Sequence, residues 1–242
     1  MNPKEKLIVA LDVDSFERAE SLVDMLSDDV DIFKVGIAPF TGFGQALLNK
    51  LETAGKKVFL DLKIHDIPNT VRNVVRCAVK KGVFMMNFHC LGGLKMLETA
   101  AREAKIVQEE LEGEKTILLG VTILTSMGEK DIQEIGLSGS VMDKVFELAA
   151  LAERAGLDGV VASSQEAKMI KETMGRDFVV VTPGIRPEWA VSGDQKRILT
   201  PKQALREGAD YLVVGRPIIQ ADDPVEAVGK ILEEMNSLTV DR

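Results

Sequence analysis

Apolar residues gather in eight short runs along the chain, and the segments between them follow a different period. The runs are LIVALDV (7–13), IFKVGI (32–37), VFLDLKI (58–64), MMNFHC (85–90), TILLGVTIL (116–124), GVVASS (159–164), FVVVTPGI (178–185) and YLVVGRPI (211–218). Each has strand length, and several are rich in Val and Ile. Near-continuous apolar character, rather than strict alternation, marks strands buried on both faces. The intervening segments show helical spacing. Residues 15–28 place Phe16, Ala19, Leu22, Val23 and Leu26 at steps of three and four, and residues 141–155 do the same with Val141, Val145, Leu148 and Ala152. Helix starts are predicted at Ser140 with Asp143, at Ser163 with Glu166, and at Pro224 behind Asp222 and Asp223. Helix ends are predicted at the glycines of ETAGKK, KKG, ERAG and REGAD. Eight strand–helix units in 242 residues match the count and size of an α/β (β/α)8 TIM barrel. A doubly wound open sheet is the main rival. No linker, low-complexity tract or sequence repeat divides the chain, so residues 1–242 are read as one domain.

In a barrel of this type, chemistry sits at the carboxyl ends of the strands. Those ends supply Asp12 from the first strand and Lys34 from the second. The third strand gives Asp61, Lys63 and then Asp66, and the fourth Asn87 and His89. The fifth ends in Thr125 and Ser126, the seventh runs into Pro183, Gly184, Ile185 and Arg186, and the eighth ends in Gly215 and Arg216. Side chains two apart on a strand share a face, so Asp61 and Lys63 are expected to point together. Charges directed into a barrel are costly unless paired. Lys34 can pair with Asp61, and Asp66 can close on Lys63. The same four residues would equally make a structural ion-pair network at the barrel mouth.

VVGRPI reads as a phosphate site, because glycine admits a close backbone approach and a guanidinium forks onto phosphate oxygens. An ordinary glycine turn with a surface arginine is the other reading. The segment TPGIRPEWAVSGDQKRILT (182–200) is long for a loop and holds the only Trp. Such loops are usually lids or binding loops, with Arg186 and Gln195 as ligand groups here, or else tolerated insertions. His65 and His89 show no HxH or HExxH spacing and read as structural histidines. GxSxG is absent.

Composition narrows the field. Thirty basic against thirty-eight acidic residues give a net charge of −8, which offers neither nucleic acid nor an anionic membrane a broad basic face. Any phosphate site must be local. Cys77 and Cys90 form no CxxC and no disulfide framework, so a reduced cytoplasmic setting is expected. No run of about 18 apolar residues suggests a membrane span.

Taken in order, LDVD, FKVG, DLKIHDIPNT, TILTSM, TPGIRP, GDQKR and VVGRPI resemble the orotidine 5′-monophosphate decarboxylases of the bacterial type, over nearly the whole chain. DxKxxD alone is shared with related phosphate-binding barrels; together with PGIR, GDQKR and GRPI it is specific. The resemblance implies a homodimer without cofactor or metal that converts orotidine 5′-monophosphate to uridine 5′-monophosphate and CO2, the last step of de novo pyrimidine synthesis. It implies that Lys63 is the proton donor and that Lys34, Asp61 and Asp66 complete a catalytic charge network. Asp66 and Thr70 would reach into the partner subunit's site. Asp12 would hold the ribose, and Thr125 and Ser126 would face the pyrimidine. Arg186, Gln195, Gly215 and Arg216 would hold the phosphate, and Pro183 belongs with the substrate-binding residues. Two rivals remain at this point. One is a Mg-dependent sugar-phosphate decarboxylase, aldolase or epimerase on the same scaffold. The other is a catalytically silent phosphate-binding or assembly protein.

Overall fold

A computed structural model describes residues 2–111, 114–190 and 199–237. In chain order the elements are β1 (Leu7–Ala10), α1 (Phe16–Leu26), β2 (Ile32–Gly36), α2 (Ile37–Thr53), β3 (Lys57–Ile64), α3 (Pro68–Lys80), β4 (Met85–His89), α4 (Leu94–Leu111) and β5 (Ile117–Val121). They continue with α5 (Glu129–Glu134), α6 (Val141–Arg154), β6 (Gly159–Val161), α7 (Ser164–Met174), β7 (Val179–Thr182), α8 (Pro201–Arg206), β8 (Tyr211–Val214), α9 (Arg216–Ile219) and α10 (Pro224–Asn236). The strands close into a barrel in the order β1 to β8. Every apolar run became a strand, and closure excludes the open sheet. All the strands but β3 are shorter than their runs, because the last residues of those runs turn out of the ladder.

The chain falls into two compact units, Met1–Asp61 with Thr182–Arg242, and Leu62–Val181. In the first, β1 pairs in parallel with β2 and β8, and β2 with β3. Its core gathers Leu7, Val9, Phe33, Val35, Leu47 and Leu212. Helix α1 presents Ala19, Leu22, Val23 and Leu26 to that core, one stripe at helical spacing. Each buried leucine contributes about 2 kcal/mol.

In the second unit β4, β5, β6 and β7 pair in parallel. A Cβ at Gly159 would lie 2.0 Å from the Val179 carbonyl oxygen, so only glycine lets β6 approach β7. Helix α3 buries Val71, Val75, Ala78 and Val79. It is tied to α4 by Arg76, whose Nε donates to the buried Glu103 carboxylate at 2.6 Å. Most helix ends follow the sequence signals. Ser140 and Asp143 form a full capping box, and Asp223 accepts the amides of Val225 and Glu226. Ser163 caps α7 by accepting the Gln165 amide rather than through a box with Glu166. The glycines Gly55, Gly82, Gly156 and Gly208 all take positive φ. Among the described residues no helix is long and apolar enough to cross a membrane.

Candidate active site

The first cluster is built on β1, β2 and β3. Lys34 is the third residue of β2, in register with Ala10 and Phe59, and is 7% exposed. Its Nζ lies 3.0 Å from Asp12 Oδ1 and 3.2 Å from Asp61 Oδ2. Taking an ammonium out of water costs several kcal/mol unless carboxylates meet it, and here two do. Asp61 is itself buried on β3, whereas Asp12 lies two residues beyond the end of β1 and is exposed. Crowding fixes this pair as well as charge. A Cβ at Gly36 would lie 3.0 Å from both Asp12 Oδ1 and Lys34 Nζ. Only a residue without a side chain leaves those two atoms where they stand.

The second cluster belongs to the other unit. Among the described residues, ten have positive φ; nine are glycines and the tenth is Lys63, at φ 48°. Strand alternation therefore stops at this residue, and the expected common face of Asp61 and Lys63 has no basis in extended geometry. A left-handed backbone costs a residue with a Cβ on the order of 1 kcal/mol. The Lys63 N–H donates to Asn87 Oδ1 at 2.7 Å, and Asn87, on β4, is fully buried. His65 lies past the end of β3, its ring centroid 5.6 Å from that of His89. Burial depresses the pKa of His89 below its ordinary value, and the nearby His65 and Lys63 add to this. His89 Nδ1 is buried with no hydrogen-bond partner among the described residues, so a proton there would find no acceptor. A neutral imidazole follows.

The remaining predicted residues occupy loops and helix starts at strand ends. Asp66 is exposed ahead of α3, and its Oδ1 accepts the Ile67 amide at 2.7 Å. Thr70 lies in the first turn of α3. Thr125 and Ser126 are exposed in the turn after β5 rather than on the strand itself. Pro183 and Arg186 follow β7, and the Arg186 amide donates to the Leu199 carbonyl at 3.3 Å. Gly215 precedes α9 and Arg216 begins it. A Cβ at Gly215 would sit 3.4 Å from Ala10 Cβ, an ordinary contact, so packing does not explain that glycine. Arg18 Nη2 donates to the Ile219 carbonyl at 3.1 Å and fastens α9 from α1. Gln195, with the rest of 191–198, lies outside the described residues. Among the described residues no group of three or more His, Cys, Asp and Glu side chains is placed to hold a metal ion. Burial pushes the Cys90 thiol up to about 12, so it is no nucleophile. Sequence reasoning passed over Gly36, whose only signal is the glycine closing FKVG. It noted Asn87 as a strand-end polar residue and gave it no role.

The strands close into a parallel barrel, and a buried lysine on β2 is held between Asp12, past the end of β1, and Asp61 on β3; this fold and the chain's relatives define an enzyme of the barrel class. The chain belongs to the Orotidine 5'-phosphate decarboxylase / HUMPS family, whose model matches residues 5–231. It is 47% identical to orotidine 5'-phosphate decarboxylase of Geotalea daltonii over 233 residues, 96% of each chain. To the enzyme of that name from Vibrio cholerae it is 48% identical over 235 residues, covering 97% of this chain and 98% of the other. A solved structure of orotidine 5'-phosphate decarboxylase from Lactobacillus acidophilus superposes with a TM-score of 0.84 at 38% identity, covering 96% and 99% of the two chains.

Proposed function

We propose that this chain converts orotidine 5′-monophosphate to uridine 5′-monophosphate and CO2, the last step of de novo pyrimidine synthesis, with Lys63 as the proton donor. The reaction sets a specific demand. Breaking the bond from C6 to the carboxylate leaves the electron pair in the plane of the pyrimidine, where the ring π system does not absorb it. A fixed cation must stand where that charge develops and deliver a proton to the same carbon. The Lys63 ammonium gives its proton to C6, CO2 departs, and solvent restores the proton to the amine.

The observation that carries the reading is Lys34, buried and held at 3.0 and 3.2 Å by Asp12 and Asp61. Asp61 lies two residues before Lys63 on β3, so the strand that fixes Lys34 continues into the proposed donor. Asp66 completes the charge network, and Asp12 also takes a ribose hydroxyl. Thr125 and Ser126 meet the base. Arg186, Gln195, Gly215 and Arg216 take the phosphate, with Pro183 against the ligand. A bare Cα at Gly215 that packing does not require supports this phosphate placement. The metal-dependent sugar-phosphate chemistry is not favoured, since the close relatives carry the decarboxylase name.

The active form is proposed to be a homodimer in which Asp66 and Thr70 serve the partner's site. The apolar Ile67, 67% exposed between Asp66 and α3, supports a covered surface there. A cytoplasmic setting suits the two free cysteines and the pyrimidine substrate. The closed ring of strands supports reading residues 1–242 as one domain.

The test is to mix the protein with orotidine 5′-monophosphate in EDTA and follow the near-ultraviolet absorbance, then repeat with Lys63→Ala. Rapid loss that the substitution abolishes is the expected result. No loss, or loss only with Mg2+ and a sugar phosphate, would overturn the reading.

A further inference from the structure

We infer that Asn87 is a positioning residue for the reaction: by accepting the Lys63 N–H it holds Lys63 in a left-handed backbone conformation that sets where the ammonium stands. This rests on the reading of Lys63 as proton donor and goes beyond it.

Three observations on β3 and β4 converge. The first is identity. Wherever else the described chain takes positive φ it uses glycine, nine times, and Lys63 is the exception. Glycine meets that conformation without steric cost, so a lysine kept there is kept for its side chain. The second is restraint. A residue in a sparsely populated region persists only when its surroundings over-determine it. The Lys63 amide donates to a side-chain oxygen, Asn87 Oδ1, at 2.7 Å. The third is burial. Asn87 is fully buried on β4 between Met86 and Phe88, both also buried. A carboxamide in such a strand is unfavourable unless its polar atoms are used. Its neighbours argue for an apolar residue here, and the bond from the Lys63 amide is a use of its carboxamide oxygen that favours the exception.

Rotating one backbone torsion at Lys63 swings a four-carbon stem and its ammonium together. Loss of the Asn87 acceptor lets the backbone relax toward the extended region and carries the ammonium away from its working position. Substrate binding relies on other groups, so the effect falls on turnover.

The experiment compares Asn87→Ala, Asn87→Asp, Lys63→Ala, Lys63→Gly and the unaltered protein, each as the full chain. Asn87→Ala is expected to lower kcat about 100-fold, as a misplacement near 1 Å does. KM should stay within about threefold, the signature of a group that acts in the transition state. Asn87→Asp keeps an oxygen acceptor in the same place and is expected to restore at least about tenfold of the loss. Unchanged kcat in Asn87→Ala, or a loss no greater than the loss of folded protein, overturns the inference. So does a failure of Asn87→Asp to recover activity.

The two lysine variants give a readout that needs neither activity nor a soluble Asn87 variant. Both lack the ammonium and differ only in backbone freedom. In an ordinary strand the alanine variant would be the more stable; here Lys63→Gly is expected to melt higher. Equal or lower melting of Lys63→Gly removes the strain and the inference with it. If Lys63→Ala retains full turnover, the proton-donor reading itself is lost. If Lys63→Ala abolishes turnover and Asn87→Ala spares it, only the positioning role of Asn87 is lost.

Discussion

Gly36 shows how one missing side chain governs a charge. Lys34 Nζ and Asp12 Oδ1 both lie 3.0 Å from the place a Cβ would take. A methyl group there must push at least one of them by several tenths of an ångström. Gly36→Ala is therefore expected to lower kcat/KM on the order of tenfold, since small displacements of positioned groups are costly. The fold should be little disturbed, because both crowded atoms are the far ends of side chains rather than backbone. Steady-state kinetics beside a melting curve checks this; unchanged kinetics would mean that the pair tolerates the methyl and that crowding does not set it. At this scale the sequence was partly legible. Charged residues behind an apolar run are conspicuous, and the Lys34–Asp61 pair follows from them. Neither the left-handed backbone at Lys63 nor the part played by Gly36 could be read. Both depend on distances between strands far apart in sequence, and residue type alone does not encode those distances.

At the scale of elements, the period of the apolar pattern decided strand against helix correctly for all eight strands. Boundaries were less legible. TILLGVTIL continues three residues past the end of β5 because Thr122 and Ile123 stay buried beyond Val121, the last residue of the strand. Burial, not hydrogen bonding, is what hydrophobicity reports. Caps were legible where a side chain meets the backbone locally. Asp223 is the strongest of these, accepting two amides of α10 at 2.9 and 3.0 Å. Removing it leaves both donors to water and removes a negative charge from the helix start. Asp223→Ala is expected to cost about 1 kcal/mol, a fall of about 2–4 °C in Tm for a chain of this size. Asp223→Asn, which keeps the acceptor, should recover most of it. A thermal melt of the three proteins decides; equal Tm values would show that α10 is held by its buried stripe alone.

At the scale of the whole molecule, the count of strand–helix units announced the barrel, because few folds repeat a parallel unit eight times in about 240 residues. Assembly was not legible from pattern, since an interface between identical chains is composed much like any other surface. It follows instead from the proposal that Asp66 serves the neighbouring copy. If each site takes Lys63 from one chain and Asp66 from the other, Lys63→Ala and Asp66→Ala are each inactive alone but complement in a mixed dimer. One of the two sites in that dimer is intact, because its Lys63 and its Asp66 both come from the unaltered positions of the two chains. The other site carries both defects. When the variants are mixed in equal amounts and allowed to exchange, half of the dimers are mixed and half of their sites work. Turnover should then recover to about a quarter of that of the unaltered protein. Differently tagged chains, purified through both tags, should show about half of the unaltered turnover. A doubly tagged mixed dimer as inactive as its parents would place Asp66 and Lys63 of the same chain in one site, and the shared-site assembly would have to be given up.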